Sequence, residues 1–172
     1  MGQLPQMGHV AYQTINSLLL HLFVFDQKWL PHPFLILPNN FVFILSICIS
    51  LLFIFYVLFE KNVDKELLPL SFSAAIAAGV VTAPVAEEYH YLLFLPLVIG
   101  MSRILFEQFK EKRKFSVTEF FFTLAVLIMI IPLNYKALQF SSAPLYLLAY
   151  PKLYAGIILL IIYKRIIRLH YT

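Results

Sequence analysis

FVFILSICISLLFIFYVLF, residues 41–59, contains no charged side chain. A run of this kind approaches the roughly 20 residues needed to cross a hydrocarbon core. Inside lipid no water bonds the backbone N–H and C=O groups, so the run has to be a helix. That reading sets the fold class as all-α, a polytopic transmembrane helical bundle. The whole chain agrees with it: 61% of residues are hydrophobic, 13% are charged and the mean hydropathy is +0.83, against roughly 25% charged residues in a soluble domain.

Working outward, the charged turn EKNVDKE follows the first span and leads into a weaker span, residues 67–83. That span is rich in Ala74, Ala75, Ala77, Ala78 and Gly79, small residues that let neighbouring helices approach closely. Ala83 and Pro84 end it. A polar knot, Glu87-Glu88-Tyr89-His90, opens a third span over residues 91–109, and the basic run Lys110, Lys112, Arg113 and Lys114 closes it. A fourth span is expected over residues 115–133. A fifth, over 145–165, is interrupted by Pro151 and Lys152. The expectation is about five spans in a single transmembrane domain, residues 1–172. Residues 1–40 are mixed in character. There, Asn16 or Ser17 can cap a short helix carrying Leu18, Leu19, Leu22 and Phe23, too short to span and suited to the membrane interface; an ordered loop is the alternative. The Pro-spaced stretch holding Pro31, Pro33 and Pro38 follows.

Alternating the crossings brings Lys61, Lys65, the 110–114 run, Lys164, Arg165 and Arg168 to one side, nine of the thirteen Lys and Arg residues. By the positive-inside rule that side is cytoplasmic. The N-terminal region and the Glu-Glu-Tyr-His knot then face outward, the C-terminus is cytoplasmic, and the expected location is a plasma membrane of bacterial type. The net charge of +4 and pI near 9.2 come from residues gathered at helix ends, which argues against a nucleic-acid partner. Cys48 is the sole cysteine, so the chain offers no intramolecular disulfide and no zinc cluster. The opening MGQLPQMGHV lacks a basic stretch followed by an apolar core, and Gln6 breaks the myristoylation pattern; no signal peptide and no lipid anchor are expected.

Glu87, Glu88 and His90 form the leading candidate site, because ionisable groups packed at a helix mouth in lipid face a cavity or a partner. Glu87 and His90 share a helix face if the helix begins before Tyr91, and a carboxylate beside the imidazole favours a charged ring able to hold a phosphate. The plainer reading is a solvated turn with a capping glutamate. No metal or cofactor site is expected: HExxH is absent, and a di-iron bundle needs the Glu-x-x-His spacing twice with two further glutamates. Lys152 either lies inside the last span, where an ammonium needs an anion, or sits at the interface with its stem snorkelling to the headgroups. Gln13 and Asn16, in the segment Tyr12 to Ser17 followed by His21, offer amides suited to a sugar or headgroup, or to turn formation. Arg103 and Glu107 are expected to pair or snorkel, and Glu119 to meet the N-terminus of its own helix or the nearby basic run. Nucleophilic catalysis is not supported, since no Gly-x-Ser-x-Gly turn exists.

Two blocks, YQTINSLLLHLF from Tyr12 to Phe23 and TAPVAEEYHYLLFLPLVI from Thr82 to Ile99, resemble elements of glycosyltransferase family 87. The second is similar to that family's Ser-Pro-x-x-Trp-Asp/Glu-His/Tyr-His element, with Ala83 in place of Ser and Glu87-Glu88 in place of Trp-Asp. The resemblance implies a GT-C fold and transfer of a hexose, commonly mannose, from a polyprenyl-phosphate donor to an acceptor outside the cytoplasm. It implies that His90 contacts the donor phosphate and that Gln13, Asn16 and Glu88 line the site. The family's catalytic acidic residue precedes everything present here. The chain is therefore expected to be the C-terminal portion of such an enzyme, with no catalytic residue of its own and with the missing N-terminal helices as upstream sequence or a separate chain. The competing expectation is a non-catalytic scaffold or binding subunit of an envelope-glycan complex that docks through the Ala74–Gly79 face. A small transporter ranks below both, for want of matched broken helices.

Overall fold

Thr14 begins the first helix by accepting the Ser17 N–H on its hydroxyl at 3.1 Å, which satisfies one of the donors every helix start leaves open. The computed structural model describes residues 12–27, 30–59, 64–112, 116–132 and 145–170. Among these residues all repetitive structure is helical, apart from an isolated bridge between Asp26 and Leu30. The helices are α1 (Ile15–Phe23), α2 (Asn39–Leu58), α3 (Leu68–Thr82), α4 (Leu95–Lys112), α5 (Val117–Ile130) and α6 (Pro151–His170). Short 3-10 turns precede three of them, at Lys65–Leu67, Glu88–Phe94 and Leu145–Ala149.

Among the described residues three helical stretches are long and apolar enough to cross a bilayer: Asn39–Leu58, Lys65–Thr82 and Glu88–Lys110. They fall within a few residues of the first three spans read from the sequence. The expected fourth span appears as the 14 residues of α5, roughly 21 Å at 1.5 Å per residue; its expected limits at 115 and 133 lie outside the described residues. The fifth expectation needs correction. Pro151 does not interrupt a helix but is its first residue, a position where the missing N–H costs nothing and the fixed φ already suits the helix.

A second correction concerns α1. Its cap is Thr14, while Asn16 and Ser17 lie inside the first turn and are buried together with Ile15, Leu20 and His21. The helix is packed against α2 and α3. The cause is a polar stripe at helical spacing, Gln13, Ser17 and His21, whose partners sit at the start of α6.

The packing order places α1 on α2, α2 on α3, α3 on α4 and α6, and α5 on α6. Helix α6 is the hub: Leu153, Ala155, Leu159, Leu160, Ile166 and Ile167 are almost fully enclosed, as expected for a helix apolar on all sides. Its Tyr163 hydroxyl donates to Ser71 of α3 at 3.0 Å, and Lys164 Nζ donates to the carbonyl of Phe59 at the end of α2 at 2.6 Å. The end of α2 and the distal part of α6 therefore share one end of the molecule, with the starts of α3 and α5 and the end of α4. Lys65, Lys110, Lys164 and Arg165 belong to that basic end, whereas Lys28, Lys61, Arg113, Lys114 and Lys136 lie outside the described residues. Ser116 and Glu119 close a capping box at the start of α5, giving Glu119 the structural role expected of it. Arg103 and Glu107 pair at 3.4 Å on the exposed face of α4.

Gly156 sits where α6 passes the Glu88–Phe94 turn and α3. A Cβ there would lie 3.0 Å from Phe94 Cζ, 3.1 Å from Val81 Cγ2 and 3.3 Å from Tyr91 Cε1. Three walls would have to yield together, so Gly156→Ala is expected to destabilise by about 1–2 kcal/mol despite the better helix propensity of alanine. A lowered midpoint in detergent-solubilised thermal unfolding checks this; an unchanged or raised midpoint would show that the walls give freely.

Candidate functional site

At the end opposite the basic residues, the Glu88–Phe94 turn, α4, α5 and the first turn of α6 enclose a cavity of about 670 Å³, within the usual range for ligand sites. Its polar groups are Glu87, Glu88, Tyr89, Tyr91 and Lys152. Its apolar wall is Leu92, Phe94, Leu95 and Val98 on one side and Val126, Met129 and Ile130 of α5 on the other. The cavity exists because α5 packs on α6 while α4 packs on α3, leaving the two helices apart. The same gap reopens toward the basic end as a recess of about 260 Å³ between Ser102, Leu105, Phe106 and Phe109 of α4 and Glu119, Phe122 and Thr123 of α5.

Lys152 is the unusual member. It is 8% exposed, and its ammonium makes no hydrogen bond or ion pair with any described residue. Its stem is buried while the ammonium, without a protein partner, faces the cavity, where an anion could meet it. Glu87 is exposed and Glu88 half-buried on the same cavity, too far from Lys152 to pair with it. The arrangement offers a cation for an anionic group, carboxylates for hydroxyl donors and an apolar cleft leading away from both.

Gln13 holds this site without lining it. Its side-chain Nε2 donates to the Ala149 carbonyl at 2.8 Å, and its Oε1 accepts the Lys152 backbone N–H at 3.3 Å. Its backbone N–H donates to Ala86 O at 3.0 Å, and its carbonyl accepts the Tyr91 hydroxyl. One fully buried residue thus ties α1 to the loop before Glu87, to the cavity wall at Tyr91 and to the start of α6. Asn16 also stands behind the cavity: Nδ2 donates to Pro84 O at 3.0 Å. Its Oδ1 is buried with no hydrogen-bond partner among the described residues.

His90 departs furthest from expectation. Its Nδ1 accepts the Glu87 backbone N–H at 3.0 Å, and its ring lies 4.2 Å from that of Tyr89. The imidazole thus caps the turn, and it does not line the cavity. Glu87 and His90 share the turn as anticipated, with the ring serving as a cap instead of reaching the cavity. Of the residues named from the sequence, Glu87, Glu88 and Lys152 come together, while Gln13, Asn16 and His90 support them from outside.

Sequence reasoning missed the aromatic latch beside the site. The Tyr150 hydroxyl lies 3.1 Å from His21 Nδ1, accepts from Ser17 Oγ at 3.3 Å and is 3.1 Å from Ser17 O; the Tyr146 ring lies 5.1 Å from that of His21. The adjacency of Tyr150 to Pro151-Lys152 was the available signal. No family model, curated protein or solved structure matches the chain.

Proposed function

We propose that this chain crosses a membrane about five times and binds a polyprenyl-phosphate-linked hexose, as the donor-binding portion of an extracytoplasmic membrane glycosyltransferase of GT-C type. The observation that carries the reading is Lys152, its stem buried and its ammonium unpaired among the described residues, in a cavity that opens into an apolar cleft between α4 and α5. A lipid phosphate would meet the ammonium, the prenyl chain would follow Leu95, Val98, Val126 and Met129, and Glu87 and Glu88 would accept hydrogen bonds from sugar hydroxyls. The resemblance of the 12–23 and 82–99 blocks to glycosyltransferase family 87 supplies the sugar and the reaction. No residue here is assigned as the general base that activates the acceptor hydroxyl; that group belongs to the helices the family places upstream. The N-terminal region faces outward in this reading, and the basic end is cytoplasmic.

Docking of another membrane protein through the small-residue face has less support, because Ala74, Ala77 and Ala78 are fully enclosed by this chain's own packing.

The test is binding by the purified chain in nanodiscs, comparing a polyprenyl phosphate with the polyprenol of equal length. The phosphate form is expected to bind at least about tenfold more tightly, the effect of a single charge-assisted contact of roughly 1.5 kcal/mol or more. Equal affinities would refute an anionic-lipid site. A further gain with a mannosyl phosphate headgroup would support the donor assignment, and its absence would confine the reading to the lipid phosphate.

A further inference from the structure

Between α1 and α2 runs PHPFLILP, residues 31–38, an irregular segment whose Phe34, Leu35 and Ile36 are 72%, 54% and 67% exposed. Three consecutive large apolar side chains turned outward are an unusual surface for water. We propose that this segment is seated in the bilayer beside the first turn of α2, so that the chain is held by a lipid-embedded loop as well as by its helices. The inference is independent of what the cavity binds.

Two observations identify lipid as the occupant. First, the segment leads directly into α2, a helix long and apolar enough to span. Residues 29–59 contain no Asp, Glu, Lys or Arg, and past the exposed Asn39 and Asn40 the apolar exposure resumes at Phe41, Ile44, Ile47 and Leu51. Leu37 and Phe23 pack with Val42, fixing the loop against that helix. Second, its backbone is prepared for a dry setting, where irregular structure is otherwise excluded by unsatisfied polar groups. Three of its eight residues are prolines with no N–H. Of the five remaining N–H groups, three are bonded to carbonyls at the end of α1: Phe34 and Leu35 to Leu22 O at 2.8 and 3.3 Å, and Leu37 to Phe23 O at 2.8 Å. These bonds also satisfy carbonyls that the last turn of α1 would leave open. The sequence suggested that α1 lies at the interface; the apolar residues turned outward belong instead to the loop that follows it.

The experiment places single cysteines at Phe34 and Ile36 in a Cys48→Ser background, with Lys65→Cys as a control in the exposed 3-10 turn before α3. Each is labelled with an environment-sensitive fluorophore and reconstituted in phosphatidylcholine–phosphatidylglycerol vesicles containing lipids brominated near the headgroup. Quenching at 34 and 36 is expected to exceed that at 65 by twofold or more, with slow reaction of the unlabelled cysteines toward a membrane-impermeant maleimide. Quenching equal to position 65 with rapid maleimide reaction would overturn the proposal in favour of water. Protection from maleimide without quenching would overturn it in favour of a second copy of the chain covering the loop.

Discussion

Gln13→Leu is expected to cost about 2–5 kcal/mol of stability, the largest loss of any single substitution considered. The side chain fills a fully enclosed position and makes two hydrogen bonds, to Ala149 O and from Lys152 N. Leucine keeps much of the volume but strands a carbonyl and an N–H away from water, and each stranded group costs roughly 1–3 kcal/mol. Gln13→Glu separates the two bonds, since it retains an acceptor for Lys152 N and loses the donor to Ala149 O, although the buried charge adds a penalty of its own. Gln13→Met, with no polar group, is expected to behave as leucine does. Thermal or denaturant unfolding in detergent reads the effect. The position of the damage is read by cysteine crosslinking between the 12–14 segment and the 149–151 segment, which should fall in parallel. Undiminished stability in Gln13→Leu would mean that α6 starts correctly without this remote cap.

The residues that were legible in the sequence are those for which the solvent leaves one choice. Residues 41–59 admit no conformation but a helix in lipid, and α2 is found there to within a residue or two. Glu87, Glu88 and Lys152 were recognisable because charge is expensive in such a chain wherever it occurs. What stayed hidden depends on contacts far apart in sequence. The partner of the Gln13–Ser17–His21 stripe is Tyr150 and its neighbours, more than 125 residues away, so α1 read as a surface helix. Pro151 could be a kink or a first residue, and only the preceding 3-10 turn at Leu145–Ala149 decides for the second. Val126, Met129 and Ile130 carry no mark that separates a cavity wall from a lipid-facing surface, because both are apolar. His90 was placed on the correct face, yet its role as a cap follows from one backbone N–H, that of Glu87, which no residue pattern discloses.

Lys152→Met should weaken ligand binding while leaving stability nearly unchanged, and that separation is what distinguishes a binding residue from a structural one. The residue is 8% exposed, with its stem buried and its ammonium facing the cavity without a partner among the described residues. Methionine of similar length removes the charge and keeps an apolar stem. In the empty protein this replacement is expected to change stability by no more than about 0.5 kcal/mol. With a polyprenyl phosphate present the loss appears. The lost charge-assisted contact is worth roughly 1.5–3 kcal/mol, about 10- to 150-fold in affinity, while the affinity for the uncharged polyprenol should be nearly unchanged. Lys152→Arg restores charge but brings a broader planar group into the enclosed mouth, so it should recover part of the phosphate preference. A methionine variant that is both less stable and undiminished in phosphate preference would show that the lysine serves the fold, and the anion site would have to be sought elsewhere.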